Sequence, residues 1–290
     1  MTRNELSTVK FDKERLRVNL ANALDTFGIF LALDQIDVLL EHLRLVLEKN
    51  EVLNLTSIRD PRDGVILHVL DSAILVPVLL ASLRRASESS SNGSFQGHLY
   101  TYTGEGVLDL QNASQSLAGL SYVDMGTGAG FPGIPLGILT PMRGVLVDSV
   151  GKKVNACSEF INQLALDSSL RAVHARLEDF AVENKGQYDF VFARALAPLD
   201  VLVEYGSPLL HRGGHLVFSK GHTSDEEIAN ADYTASLCGV SCVSRETFEL
   251  PSAYGHREVF IFEKISKAKI KLPRKNGEAR RNPLSNRQIQ

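Results

Sequence analysis

The residues with the clearest chemical potential are an aspartate and three glycines that follow a short apolar segment. Asp124 precedes Gly126, Gly128 and Gly130, and all four stand at alternating positions. Glycine has no Cβ, so the chain can turn sharply there and approach a ligand closely. The pattern predicts a nucleotide-binding turn between a strand and a helix, with a tight turn that binds no ligand as the alternative.

A second carboxylate could complete this site. Asp148 stands twenty residues after Gly128, at the end of another apolar run. A carboxylate in that position can accept hydrogen bonds from ribose hydroxyls. The two segments together predict the first half of a Rossmann-like sheet.

Asp124, which precedes the glycines, helps to distinguish between possible nucleotide ligands. Read from Gly128, the loop also matches the G-x-G-x-x-G pattern of nicotinamide enzymes. Asp124 would fit poorly beside a pyrophosphate, whereas it suits the amino group and sulfonium charge of S-adenosylmethionine. Because no Gly-Lys-Ser/Thr follows the glycines, a Walker-type phosphate loop is excluded. The motif favours S-adenosylmethionine, with a nicotinamide cofactor as the alternative.

Composition narrows the class of protein. The chain has 290 residues, of which 44% are hydrophobic, as is typical of a globular protein. No run of eighteen apolar residues is present, so we expect a cytoplasmic protein without a membrane partner. The three cysteines form no disulfide or zinc pattern, and we expect no metal.

Basic residues are concentrated at the C-terminus, although the formal net charge is -3. Residues 264–290 contain nine Lys or Arg residues and one acidic residue. Such a segment can neutralise the phosphates of a nucleic acid, and a solubilising tail is the alternative.

Hydrophobic periodicity divides the chain into four parts. It predicts an N-terminal helical cap (1–83), a flexible insertion (84–120), a Rossmann-like domain (121–264) and a basic C-terminal tail (265–290). In the third part, strands alternate with helices and two further strands follow. We therefore predict an α/β fold with a mostly parallel sheet whose last strands are antiparallel. His68 and Asp71, one helical turn apart, are expected to join the cap to the sheet, with a functional pair as the alternative.

Several segments together resemble one family, the bacterial small-subunit ribosomal RNA guanine-N7 methyltransferases (RsmG or GidB). The sequence Gly-Phe-Pro-Gly-Ile-Pro-Leu, which begins at Gly130, is more specific than a general glycine loop. The insertion at about 84–120 is longer than the connector usual in the family. The matching segments keep their order over nearly the whole chain: 54–56, 68–72, 123–136, 148–153, 176–179, 192–195, 209–214, 219–221, 256–258, 273–275 and 282–284.

The resemblance implies a class I methyltransferase fold and methyl transfer from S-adenosylmethionine to N7 of a guanine in the decoding-region hairpin of 16S rRNA. The partner would be 16S rRNA within the 30S subunit or an assembly precursor. Because N7 carries a lone pair and no proton, the reaction requires positioning rather than a general base. A small-molecule methyltransferase and a non-catalytic RNA-binding assembly protein are the alternatives.

The resemblance also implies cofactor contacts. The loop glycines would hold the methionine part, with Asp124 near its amino group and Phe131 over the cofactor. Asp148 would hold the ribose, while Leu177 and Glu178 would flank the adenine.

Three arginines are the catalytic candidates. Arg194 matches a cofactor-site arginine of the family. Arg176 and Arg257 are candidates for contacting the guanine or its phosphate, because a guanidinium can pair with guanine O6 or with phosphate oxygens. A surface ion pair is the alternative for each of these two.

Overall fold

The computed structural model describes residues 11–89, 99–101, 108–109 and 114–285. Its strands are β1 (Ile29–Phe30), β2 (Leu99–Thr101), β3 (Leu108–Asp109), β4 (Ser121–Met125), β5 (Arg143–Asp148), β6 (Leu170–His174), β7 (Tyr188–Arg194), β8 (Leu210–Lys220), β9 (Val240–Leu250) and β10 (Gly255–Lys264). Its α-helices are α1 (Lys13–Asp25), α2 (Leu33–Asn50), α3 (Pro61–Gly64), α4 (Asp71–Ala73), α5 (Leu75–Ser89), α6 (Gly133–Leu139), α7 (Gly151–Gln163), α8 (Leu177–Glu183), α9 (Leu199–Gly206), α10 (Asp225–Cys238) and α11 (Glu278–Arg281). A π-helix (Val65–Leu70) joins α3 to α4.

Eight of the described strands form one sheet in the order β2-β9-β10-β8-β7-β4-β5-β6. The neighbours from β8 to β6 run parallel, whereas β10 runs antiparallel to both β8 and β9. This confirms the predicted Rossmann-like sheet with antiparallel last strands. Chain order reverses between β4 and β7, and ligands of open α/β sheets bind at such a point, beyond the carboxyl ends of the strands.

Both faces of the sheet are covered, as the alternation of side chains along the strands requires. In β4, Tyr122 points into one core, while Val123 and Met125 point into the other. The first core also contains buried residues of α1, α2, α6 and α7, and the second contains those of α9 and α10. The N-terminal helices therefore share a core with the sheet, through contacts such as those that bury Leu20 and Leu39.

The helical run from Pro61 to Ala81 is long and apolar enough, by length and composition, to cross a membrane. Its most apolar window has a mean hydropathy of 2.2, yet 89% of that window is buried inside the protein. Burial of that extent is typical of a core helix. The run forms part of the first core and carries His68 and Asp71.

The C-terminal residues up to Ser285 lie against the body of the protein. Leu272 and Ala279 are buried in the second core. Arg274 donates two hydrogen bonds to the buried carboxylate of Glu204, at 2.7 and 2.6 Å. Most of the predicted insertion falls outside the described residues, and the domain boundaries at 83, 120 and 264 stay predictions.

Candidate functional site

The loop after β4 carries the three glycines, each in the left-handed backbone conformation that favours glycine. The angle φ is +69° at Gly126, +57° at Gly128 and +89° at Gly130. The N–H of Gly126 donates to the carbonyl of Val147 (2.8 Å), and the N–H of Gly128 donates to Asp148 Oδ2 (3.0 Å). These bonds fix the loop to the end of the neighbouring strand β5.

Asp124 lies beneath this loop and is almost fully buried. Its Oδ2 accepts hydrogen bonds from the hydroxyl of Thr127 (2.6 Å) and from the N–H of Gly133 (2.9 Å). Its Oδ1 has no hydrogen-bond partner among the described residues. Burial raises the pKa of this carboxyl to about 6. The side chain thus fixes the loop through Oδ2, while Oδ1 can still accept a hydrogen bond.

A cleft of about 450 Å³ opens beside the loop, beyond the carboxyl ends of the central parallel strands. It brings together five of the residues that the sequence predicts for cofactor or substrate: Gly126, Asp148, Arg176, Leu177 and Glu178. The other six, Asp124, Gly128, Gly130, Phe131, Arg194 and Arg257, are not part of its lining.

The C-terminal segment supplies another part of the cleft lining, which the sequence analysis did not predict. Gly277 and Arg280 both line the cleft. The N–H of Gly277 donates to Glu178 Oε1 (2.6 Å), and Arg280 donates to the carbonyl of Leu196 (2.9 Å). The signal in the sequence is the family motif 273–275, which lies within the segment that composition assigns to phosphates.

Arg194, at the end of β7, is held by three acceptors on the N-terminal helices. Its Nη1 donates to the carbonyl of Leu67 (2.8 Å) and to Asp71 Oδ2 (3.1 Å), and its Nη2 contacts His68 Nδ1 (2.9 Å). Only 13% of the Arg194 side chain is exposed. The guanidinium therefore joins the central sheet to the helical part of the molecule.

Asp71 connects Arg194 to a second predicted arginine. Its Oδ1 accepts a hydrogen bond from Arg257 Nε (3.1 Å), and its side chain is 3% exposed. Two of the three candidate arginines thus meet at one buried carboxylate. His68 and Asp71 lie at the contact between helices and sheet, where the sequence analysis expects them. The long-range pairing of Asp71 with both arginines was not foreseen.

Phe131 packs between two histidine rings, with 5% of its surface exposed. Its ring centroid lies 4.4 Å from that of His42 and 4.5 Å from that of His68. Burial and the nearby Arg194 charge lower the pKa of His68 to about 3. Neutral His68 accepts at Nδ1 from Arg194, so Nε2 carries the proton and donates to Thr56 Oγ1 at 2.9 Å.

Arg176 differs from the other two arginines. It is exposed at the start of α8, and its side chain makes no hydrogen bond or ion pair within the described part of the chain. Since it also lines the cleft, its guanidinium is available to a ligand. Arg176 therefore does not form the surface ion pair that the sequence analysis gives as the alternative, at least with the described residues.

Substitution of Gly126 by alanine should weaken S-adenosylmethionine binding. A Cβ there would lie 2.5 Å from Leu196 Cδ1, in a residue that also lines the cleft, and φ is unfavourable. We expect the Kd to rise by about tenfold or more, which corresponds to about 1.4 kcal/mol. Calorimetric titration of the cofactor measures this.

The matched control is Gly213→Ala, where φ is +87° and no atom lies within 4 Å of the added Cβ. Both variants should lose about 1–3 kcal/mol of stability from backbone strain. Equal cofactor affinity in the two variants would show that the loop at Gly126 is not part of the binding site.

Comparison with known proteins gives a consistent result. Residues 106–253 match the model of the GidB family, which is described as rRNA small subunit methyltransferase G. The chain is 32% identical to the Ribosomal RNA small subunit methyltransferase G of Desulfitobacterium hafniense, over 89% of this chain and 92% of that protein. It is 35% identical to the protein of the same name in Staphylococcus carnosus, over 83% of this chain and 87% of that one.

Among solved structures, the fold is similar to a crystal structure of M. jannaschii TYW2 in complex with AdoMet. The TM-score is 0.42 at 19% sequence identity, and the similarity covers 50% of this chain and 69% of the other.

Proposed function

We propose that this chain, which belongs to the GidB family of rRNA small subunit methyltransferases G, methylates N7 of one guanine in the decoding-region hairpin of 16S rRNA. Family membership makes the chain an S-adenosylmethionine-dependent rRNA methyltransferase. The position of the methylated atom and the roles of individual residues are the parts that we propose. The observation that carries the proposal is the cleft that joins the glycine loop to Asp148, Glu178 and Arg176.

The residues of the cleft and of the adjoining glycine loop fit S-adenosylmethionine. The orphaned Asp124 Oδ1, under the loop, suits the cationic amino group of the methionine part. Asp148 ends β5, and each of its oxygens accepts one backbone N–H, which leaves a second lone pair for ribose hydroxyls. Leu177 and Glu178, after β6, also line the cleft, and we propose that they flank the adenine.

The cofactor supplies the methyl group as an activated sulfonium. The chain has to orient the guanine, because N7 presents its lone pair without loss of a proton. Arg176, free at the edge of the cleft, is placed to donate hydrogen bonds to guanine O6 or to a phosphate. Arg194 and Arg257 share Asp71 and fix the strand ends around the site.

Cofactor affinity should depend on pH through Asp124. A cationic amino group favours the carboxylate, so binding releases the proton that this side chain holds below a pKa of about 6. The Kd for S-adenosylmethionine should therefore fall by about tenfold from pH 5 to pH 7. Titration across this range measures the slope. In Asp124→Asn the dependence of Kd on pH should disappear. An unchanged dependence would show that another group titrates.

We place the protein in the cytoplasm with the 30S subunit or an assembly precursor as its partner. This rests on the rRNA substrate of the family. The C-terminal segment leaves Lys267, Lys269, Lys271 and Lys275 available for phosphates, since their side chains have no ion pair in the described residues.

The test is transfer of a labelled methyl group from S-adenosylmethionine to small subunits purified from cells that lack the enzyme, beside protein-free 16S rRNA. Cleavage at 7-methylguanosine then maps the product. We expect label at one guanine, and transfer that is strongly reduced in Arg176→Ala. The control is Arg143→Ala, an exposed arginine at the start of β5, at the opposite end of the sheet.

Two outcomes would contradict the proposal. Label on another atom or base would exclude guanine N7. Cofactor binding without transfer to either form of RNA would favour a small-molecule substrate or a non-catalytic assembly role.

A further inference from the structure

A group of potential metal ligands lies outside the cofactor cleft. His256 and Glu258 are two residues apart in β10, so their side chains leave the same face of the sheet. His222 lies two residues beyond the end of β8, and Glu258 pairs with the last residue of that strand, Lys220. The antiparallel register therefore brings His222 next to the other two.

The distances between ligand atoms are close to those of a metal site. Glu258 Oε1 lies 3.5 Å from His256 Nε2 and 3.9 Å from His222 Nδ1, and all three atoms lie within 4.8 Å of one another. Ligands of a tetrahedral zinc ion are about 3.3 Å apart, given bond lengths of about 2.0–2.1 Å. The side chain of His222 is 89% exposed, so its ring can turn to make up the difference.

Neighbouring residues orient these ligands as they do in known metal sites. His256 Nδ1 contacts Glu249 Oε1 at 2.7 Å, so Nε2 is the nitrogen left to coordinate. Glu258 Oε2 accepts from Arg245 Nε at 2.9 Å, and Oε1 accepts from the N–H of Thr223 at 3.1 Å. Carboxylates that bind the second nitrogen of a ligating histidine fix its tautomer and raise its basicity.

We propose that His222, His256 and Glu258 bind one divalent transition-metal ion, for which zinc is the best fit. Two imidazole nitrogens and one carboxylate oxygen are the ligand set that zinc accepts, with a fourth position open to solvent. The proposal departs from the metal-free protein that the sequence predicts, and it is independent of the proposed methyl transfer.

The proposed metal site is connected to the cofactor region through Arg257. Arg257 stands between two of the ligands, and its side chain leaves the opposite face of β10 to contact Asp71 at 3.1 Å. A metal ion at the site fixes the strand end from which Arg257 projects.

The experiment uses the full chain without an affinity tag, treated with a chelator and then titrated with ZnCl₂ in a calorimeter. We expect one ion per chain. His222→Ala and His256→Ala should each weaken binding by at least about tenfold, and Glu249→Gln should weaken it by about the same factor. Because His222 is largely exposed, its removal leaves the fold intact.

The control is His211→Ala, which removes an exposed histidine that is paired with a carboxylate, Asp189, outside the cluster. It should bind zinc as the wild type does. Titration with CoCl₂ adds a second readout, since the visible absorption of cobalt reports the coordination geometry and should decrease in His222→Ala at the same cobalt concentration. Zinc binding that is unchanged in both ligand variants, or equally reduced in His211→Ala, would overturn the proposal.

Discussion

The Asp71→Asn variant is expected to lose about 3–5 kcal/mol of unfolding free energy, because it removes the shared counter-charge of two partly buried arginines. The side chains of Arg194 and Arg257 are 13% and 18% exposed, and that of Asp71 is 3% exposed. Asparagine keeps the shape but turns one acceptor into an N–H donor that faces a guanidinium. Urea unfolding followed by circular dichroism measures the loss.

The matched control is Asp37→Asn, which also removes a carboxylate with two hydrogen bonds from guanidinium groups, here both from one arginine. Arg17 donates to Asp37 at 2.8 Å through both Nε and Nη2, but the two side chains are 25% and 32% exposed. Because solvent screens this pair, we expect a smaller loss of stability than in Asp71→Asn. Similar losses of unfolding free energy in the two variants would show that the burial of Asp71 does not increase its contribution to stability.

Local patterns were sufficient to predict most of the sheet and the position of the cleft. Strands and helices alternate after residue 121 as the sequence predicts, and helix α6 (Gly133–Leu139) is the first of these helices. Residues that follow parallel strands must meet at one edge of the sheet, whatever the details of packing. This is why Gly126 and Asp148 could be assigned to one site from their order in the chain, whereas the assignment of Glu178 rests on the family resemblance.

The network around Asp71 could not be predicted in the same way. Asp71 lies 123 residues from Arg194 and 186 residues from Arg257 in the sequence. Periodicity describes which face of a helix is buried, but it carries no information about which distant strand covers that face. The choice of partners depends on the packing of the whole molecule.

The C-terminal segment shows a second limit, which concerns charge. Composition counts Arg274 as a cation available to phosphates, whereas the fold pairs it with Glu204, whose side chain is 4% exposed. A buried carboxylate requires such a partner. The same docking brings Gly277 to Glu178, so a segment that composition assigns to RNA also lines the proposed cofactor cleft.

In the Arg194→Lys variant, kcat/KM for methyl transfer to rRNA should fall by about 100-fold, because small displacements at a reaction that relies on positioning have effects of this size. Lysine keeps the charge but lacks the fork that contacts Leu67, Asp71 and His68 together. The Arg194 guanidinium also lies 5.6 Å from the ring of Phe131, next to the glycine loop. Initial rates with small subunits give kcat and KM separately.

The control is Arg17→Lys, since Arg17 also bonds more than one acceptor, here the carboxylates of Glu14 and Asp37, but on the protein surface. Arg194→Lys keeps a positive charge beside Asp71, so its loss of stability should be smaller than that of Asp71→Asn while its loss of activity remains large. This contrast separates the two contributions of the network. We expect the neutralisation of a buried charge to govern stability and the geometry of the fork to govern activity. A variant that keeps wild-type kcat would assign Arg194 to the first contribution alone.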